Sequence, residues 1–159
     1  MVKKTSTKSD VDFKETVKKL EDTIEEYMVD KAPFQIPENI KELLVKIAPW
    51  LSLIGLIFGL PVILVGLGMG AILSPFAFLG GIQAGVSFGL GMIISLVVLV
   101  MQAVAIPGLF KRSAFAWKMM FYASLVTVVQ NVVGFNLFGL VVGTLISWYL
   151  LFQVKSYYK

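Results

Sequence analysis

The sequence contains no cysteine and no histidine, and these two absences exclude several kinds of site. Without cysteine, no disulfide can form, and zinc or iron–sulfur centres held by thiolates are excluded. Without histidine, no imidazole is present to bind a metal or haem iron. We therefore expect neither a metal nor a cofactor.

Acidic side chains are missing from the last three quarters of the chain. All ten Asp and Glu residues lie between Asp10 and Glu42, whereas residues 43–159 contain six basic side chains. A proton-coupled pump normally needs a titratable group inside the membrane, and many cation channels use acidic rings. Hydrolysis needs a base beside a hydroxyl, or a metal that activates water. We therefore expect a protein that is not an enzyme, with no catalytic residue.

Long apolar runs take the place of the missing charge. Hydrophobic residues make up 57% of the chain and charged residues 15%, against about 25% charged in soluble domains. No charged residue occurs between Ala48 and Phe110, a length that fits two crossings of about 20 residues each. The sequence predicts an all-α integral membrane protein with four transmembrane helices, near residues 50–73, 82–106, 114–133 and 137–154.

The basic residues predict the orientation of these four spans. They occur before span one, between spans two and three, and after span four, while the turns SPFAFLGGIQ and GFN carry no charge. By the positive-inside rule, both termini are then cytoplasmic. Topology accounts for the pI of about 9.3, so we expect no nucleic-acid partner. An aromatic belt is predicted at the same interface, formed by Trp50, Trp117, Tyr122, Trp148, Tyr149, Tyr157 and Tyr158.

The region before the spans divides into two segments. Residues 1–31 are polar and contain an amphipathic cytoplasmic helix, whose apolar stripe would bind a partner because so short a helix is marginal alone. Residues 32–48 form a linker with Pro33 and Pro37, followed by an amphipathic helix expected to lie at the membrane interface. The transmembrane domain is then 49–159. The partner stripe consists of Phe13, Val17, Leu20, Ile24 and Tyr27.

Glycines recur at four-residue spacing in three of the spans. Small residues four apart share a helix face and let two helix backbones approach closely. This pattern favours packing within one chain, and it is also typical of oligomerisation or of a thin-walled groove. The candidate helix-packing residues are Gly55, Gly59, Gly66, Gly70, Gly81, Gly85, Gly89, Gly139 and Gly143.

Few polar residues lie inside the spans, and their depth places four of them near the outer side. A candidate polar pocket comprises Gln83, Gln130, Asn131 and Asn136, with interhelical hydrogen bonding as the structural alternative. Pro61 lies inside span one and predicts a kink. Broken helices line substrate sites in transporters, although a lone proline is more often only a kink.

Four stretches, IAPWLSLIG, SPFAFLGG, IPGLFKR and ISWYLLFQVKSYYK, resemble a group of small uncharacterised bacterial inner-membrane proteins of unknown function. The resemblance covers about residues 32–159. It implies a multi-pass protein of the bacterial cytoplasmic membrane, and it carries over no catalytic residue and no substrate.

Two hypotheses for function follow from these patterns. The first is a non-enzymatic membrane protein that acts through self-assembly or by binding another membrane protein, using the glycine faces and the partner stripe. The second is a small transporter or channel subunit with a polar path near the Pro61 kink, Gln83 and Gln130. In both, the lipid bilayer is the immediate partner.

Overall fold

The computed structural model describes residues 8–77 and 82–159, and the side chains of residues 11–69, 72 and 89–159. The predicted all-α class is confirmed, since these residues are mostly helical and include no strand. The α-helices are α1 (Lys8–Glu25), α2 (Glu38–Ala77), α3 (Ile82–Phe110), α4 (Ala114–Val133) and α5 (Thr144–Gln153). Short π-helical turns occupy Glu26–Asp30 and Gly139–Gly143, and a 3₁₀ turn occupies Lys155–Tyr157.

The chain divides into two compact units, Met1–Gln35 and Ile36–Lys159, at a boundary inside the predicted linker. The first unit contains α1 and the π-helical turn that continues it. In the partner stripe, the side chains of Phe13, Leu20 and Tyr27 are exposed, Val17 is half-buried, and Ile24 is buried. An ion pair of 2.7 Å between Lys31 Nζ and Glu26 Oε1 closes the end of the turn.

The predicted interfacial helix is not a separate element, because α2 runs unbroken over 40 residues. Pro37 precedes it, and the Pro37 carbonyl accepts hydrogen bonds from the amides of Ile40 and Lys41. The helix continues through Pro61 and passes the predicted end at residue 73. A proline removes one backbone donor while the turns on either side keep theirs. The kink at Pro61 stays a prediction.

Two other predicted boundaries move. The second span does not end near residue 106 as predicted, because α3 continues through Pro107 to Phe110. The fourth span is not a uniform α-helix, since it contains the π-helical turn and ends at Gln153. By contrast, α4 occupies the predicted range 114–133, and the side chain of its N-cap Ser113 accepts a hydrogen bond from the amide of Phe115.

Consecutive helices of the second unit pack antiparallel. From α2 to α3, Trp50 contacts Phe110 ring to ring at 5.3 Å, while a Cβ at Gly66 would lie 3.1 Å from Met92 Cε. The residue numbers rise along one helix as they fall along the other, which defines the antiparallel order. The same order relates α3 to α4, through Gly108 with Ala116 and Gly91 with Gln130.

A well-buried aromatic cluster of this unit lies between α4 and α5. The Trp117 ring stacks on Phe121 at 5.7 Å and meets Phe152 edge-on at 5.2 Å. All three side chains are buried, and Phe121 has no exposed surface. Ring contacts of this geometry stabilise by about 0.5–1.5 kcal/mol beyond the area that they bury.

Two described helices are long and apolar enough to cross a membrane, over Glu38–Met69 and Gly89–Phe110, with mean hydropathy 2.4 in each. The helix α4 does not meet this measure, since it carries Lys118 near its start and the amides Gln130 and Asn131 near its end. The last helix, Gly139–Gln153, is apolar but shorter than a crossing.

Candidate functional site

A groove of about 430 Å³ runs between α4 and the last helix, and we call it the α4–α5 groove. Most of its lining consists of glycines and of side chains with hydroxyl, amide or indole groups. The lining residues are Gln102, Met120, Ala123, Ser124, Thr127, Asn131, Gly139, Gly143, Thr144, Ser147, Trp148 and Leu151.

The α4 wall of the groove presents Ser124, Thr127 and Asn131 at spacings of three and four, which places them on one helix face. Ser124 Oγ donates to the carbonyl oxygen of Phe121 at 2.6 Å, and Thr127 Oγ1 donates to that of Ala123 at 3.0 Å. Each hydroxyl therefore satisfies its donor on its own helix and keeps acceptor capacity for another group. The sequence-based prediction did not include Ser124 and Thr127, although their spacing along the helix can be read from the sequence.

A hydrogen bond joins the two walls. Trp148 Nε1 donates to Ser124 Oγ at 2.9 Å, and this uses one of the two acceptor positions of that oxygen. The opposite wall carries Gly139, Gly143 and Ser147, the small-residue face recognised in the sequence. Its π-helical turn at Gly139–Gly143 inserts an extra residue into the helix, a deviation that is frequent at functional sites.

Gly139 and Gly143 differ sharply in their surroundings. A Cβ at Gly139 would lie 2.6 Å from Asn136 Nδ2 and 2.9 Å from Asn131 Oδ1, so that position is filled by the chain's own side chains. A Cβ at Gly143 would meet no heavy atom within 4 Å. The glycine face therefore serves internal packing at one end and stays uncovered at the other.

Gly59 and Gly66 also make internal contacts, with Leu99 and Met92 of α3, whereas space is open at Gly55 and Gly89. Gly70 and Gly85 lie in helices, at positions outside the described side chains, and Gly81 lies outside the described residues. One closely packed glycine of α3, Gly108, was not singled out from the sequence. A Cβ at Gly108 would approach Ala116 Cβ to 2.7 Å.

Three members of the predicted polar pocket line one small cavity of about 300 Å³, namely Gln130, Asn131 and Asn136. Gln130 Nε2 donates to Ser95 Oγ at 2.7 Å and lies 3.3 Å from the Gly91 carbonyl, so Gln130 joins α4 to α3. The position of Gln83 is outside the described side chains.

Asn136 has a local role at the start of the last helix. Its side-chain Oδ1 accepts a hydrogen bond from the amide of Gly139 at 2.9 Å, and its carbonyl accepts one from Leu140 at 2.8 Å. This is the geometry of an N-cap residue, which satisfies a helix amide that has no partner inside the helix. The sequence placed Asn136 in a turn and missed this capping bond.

The aromatic-belt prediction is wrong for Tyr158, which is buried, and for Trp117, whose side chain is 2% exposed and packed between helices. Its indole therefore belongs to the core of the unit. Trp50 and Tyr122 are exposed, as residues at a membrane interface would be.

A second cavity, of about 510 Å³, lies where the α3–α4 turn meets the C-terminal segment, and we call it the basic cavity. The Tyr157 hydroxyl donates to Glu38 Oε2 at 2.8 Å, and this bond raises the pKa of Tyr157 above 10.0. Burial raises the pKa of the neighbouring Tyr158, which the positive charge of Arg112 opposes. The lining residues are Glu38, Lys111, Arg112, Ser156, Tyr157 and Lys159.

These features define the class of protein as an α-helical chain with two helices long and apolar enough to cross a membrane. Comparison with protein-family models, with curated protein sequences and with solved structures finds no match for this chain. The resemblance to small bacterial inner-membrane proteins therefore stays a prediction.

Proposed function

We propose that this chain is a non-enzymatic, four-span protein of the bacterial cytoplasmic membrane, with both termini in the cytoplasm. It acts by binding a transmembrane helix, supplied by a second copy of itself or by another membrane protein. The contact surface is the uncovered end of the α4–α5 groove, around Gly143.

The exposure of α2 supports a membrane location. In the most apolar stretch of α2 no residue is buried, and only 17% of the corresponding stretch of α3 is buried. The core helix of a soluble protein would instead be mostly covered. Exposed fractions of 70% at Phe58, 71% at Val62 and 72% at Ile72 would leave a large apolar surface in water, whereas lipid solvates such side chains.

The open glycine at position 143 carries the proposal of helix binding. In lipid, burying an apolar side chain between helices gains little, because the lipid tails are apolar as well. Helices therefore associate through close backbone approach and interhelical hydrogen bonds. Gly143 offers such an approach, and Ser147 and Thr144 offer hydroxyls on the same wall. None of this surface at Gly143 is used by the described part of the chain.

Mass measurement in nanodiscs tests the proposal. We expect the wild-type chain to form a dimer or to carry a bound membrane protein from native membranes, and Gly143→Leu to release it about tenfold more readily. Val141→Leu, at an exposed neighbour in the same turn, is the matched control and should bind as the wild type does. A wild-type chain that is monomeric and free of any membrane partner contradicts the proposal.

The four-span topology has its own test, because the natural chain contains no cysteine. Single cysteines at Phe135 and Ser156, both exposed, can be labelled in intact cells with a membrane-impermeant maleimide. We expect labelling of Phe135→Cys from outside and of Ser156→Cys only after the cells are opened. Labelling of both from the same side shows that the chain does not cross the membrane between Phe135 and Ser156, and it refutes the four-span topology.

One observation favours transport as a second candidate function. The α4–α5 groove contains polar groups at several depths, from Gln102 of α3 through Thr127 to Asn131. A water-filled path would make a cysteine at Thr127 reactive with the impermeant maleimide, whereas a bound helix would protect it until Gly143→Leu displaces that helix. This difference separates the two functions.

A further inference from the structure

We propose that the basic cavity binds the phosphate group of an anionic lipid headgroup. The inference depends on the membrane location proposed above, and it assigns to that membrane domain a ligand of defined chemistry. Both a lipid headgroup and free phosphate carry the same group, and the experiment below separates these two sources.

Charge is the first argument. The residues that line the cavity carry three positive charges, on the side chains of Lys111, Arg112 and Lys159, against two negative charges, on Glu38 and on the main-chain carboxylate of Lys159. The Glu38 carboxylate accepts the hydrogen bond from the Tyr157 hydroxyl. Within the described side chains, none of the three cations lies within ion-pair distance of an Asp or Glu carboxylate. The cavity therefore holds excess positive charge that an anion would neutralise.

Backbone pairing holds this cluster in place. The amide of Lys159 donates to the Arg112 carbonyl at 2.9 Å, and the Lys159 carbonyl accepts from Ala114 at 3.1 Å. Arg112 adopts a left-handed backbone with φ 51°, a conformation that is unfavourable for a residue with a Cβ atom. The buried ring of Tyr158 anchors the paired segment beside it. Two segments distant in sequence thus bring their cations to one cavity.

The position of the cavity favours a lipid as the source of the phosphate. Lys111 directly follows Phe110, the last residue of a helix that is long and apolar enough to cross a membrane. Trp50 packs against Phe110 at this end, and tryptophan is enriched at headgroup depth. Basic pockets on the cytoplasmic side of membrane helices bind anionic headgroups, and the arginine fork matches two phosphate oxygens at once.

Retention of lipid in native mass spectrometry tests the inference. The full chain is reconstituted in nanodiscs of phosphatidylcholine with phosphatidylglycerol, and phosphatidylglycerol that stays bound after collisional activation is counted. Arg112→Asn removes the charge and suits the left-handed backbone, since asparagine tolerates that conformation. We expect it to lower retention about tenfold, and Arg112→Lys to lower it less.

Lys118→Gln is the matched control, because Lys118 is an exposed cation outside the cavity near the start of α4. It should retain phosphatidylglycerol as the wild type does, and excess inorganic phosphate should not displace the lipid. Equal losses in Arg112→Asn and Lys118→Gln overturn the inference, since they indicate diffuse attraction. Displacement of the lipid by inorganic phosphate would assign the cavity to free phosphate and would overturn the proposal of a lipid headgroup site.

The outcome of the lipid-retention test can be distinguished from the outcomes of the tests of membrane location and helix binding. A chain that inserts and assembles but retains no phosphatidylglycerol overturns only the lipid site. A chain that fails to enter nanodiscs at all overturns the proposed function, and with it the basis of this inference. Thermal unfolding of Arg112→Asn should match that of the wild type, which distinguishes lost binding from lost structure.

Discussion

Trp117 Nε1 donates a hydrogen bond of 2.8 Å to the backbone carbonyl oxygen of Leu151. That carbonyl belongs to the last turn of α5, where the final four carbonyls of a helix have no partner within it. An indole at one end of the α4–α5 contact thus satisfies a carbonyl at the end of the neighbouring helix. The buried Trp117 side chain therefore contributes both apolar packing and a hydrogen bond.

Replacing Trp117 with phenylalanine should lower the free energy of unfolding by about 0.5–1.5 kcal/mol for the lost hydrogen bond, with a further loss from the space left by the smaller ring. Thermal unfolding in detergent measures the change. Trp50→Phe is the control, because Trp50 is exposed and makes only a ring contact with Phe110. Equal effects at both positions would contradict the assigned role of the indole bond.

Gln130 and Ser95 should be energetically coupled, because Gln130 Nε2 donates to Ser95 Oγ at 2.7 Å between α4 and α3. We expect a coupling energy of about 0.6–2 kcal/mol in a double-mutant cycle of Gln130→Ala and Ser95→Ala. Unfolding in mixed micelles supplies the four free energies. Strictly additive effects would show that the hydrogen bond between Gln130 and Ser95 does not stabilise the contact between α3 and α4.

Gly108→Ala should destabilise the chain by about 1–3 kcal/mol, because the new Cβ would lie 2.7 Å from Ala116 Cβ. Ala116 is fully buried, so relief requires movement of a helix backbone. Gly91→Ala is the matched control within the same helix, since a Cβ there meets no heavy atom within 4 Å. Its unfolding temperature should stay at or above the wild-type value, and a loss equal to that of Gly108→Ala would refute the close approach.

The hydrogen bond between Tyr157 and Glu38 should be lost at alkaline pH. The pKa of Tyr157 is raised above 10.0, chiefly because the neutral hydroxyl donates to the Glu38 carboxylate. Its stabilising effect is therefore complete below about pH 10 and is lost as the pH rises through the raised value. A titration of tyrosinate absorbance should lose a step above the ordinary tyrosine pKa in Tyr157→Phe. Loss of a step at the ordinary tyrosine pKa instead would contradict the raised pKa of Tyr157.

Some elements could be predicted because their signals are local. The range of α4 follows from the basic turn Lys111-Arg112, the cap Ser113 and the turn after Val133, all visible in the sequence. The predicted end of the second span near residue 106, just before Pro107, was wrong because a proline near a helix end removes only one backbone donor. Whether a helix continues past it depends on packing, here the contact of Gly108 with Ala116.

The α4–α5 groove and the basic cavity could not be predicted, since each joins residues that are distant in sequence. Asn131 and Gly139 are brought together across a turn, and Arg112 and Lys159 across two helices. Spacing along one helix shows which residues share a face. It does not show which face meets a neighbour, and for this reason Gly139 and Gly143 looked equivalent in the sequence.

The sequence by itself determined the helical class, the apolar stretches, the basic turns and the chemistry that absent cysteine, histidine and late acidic residues exclude. These properties follow from the composition and order of residues alone. Only the tertiary structure decided which glycines are filled, which hydroxyls face a groove, and which cations share a cavity. Those properties are set by contacts between helices, and such contacts depend on a three-dimensional register that no local pattern encodes.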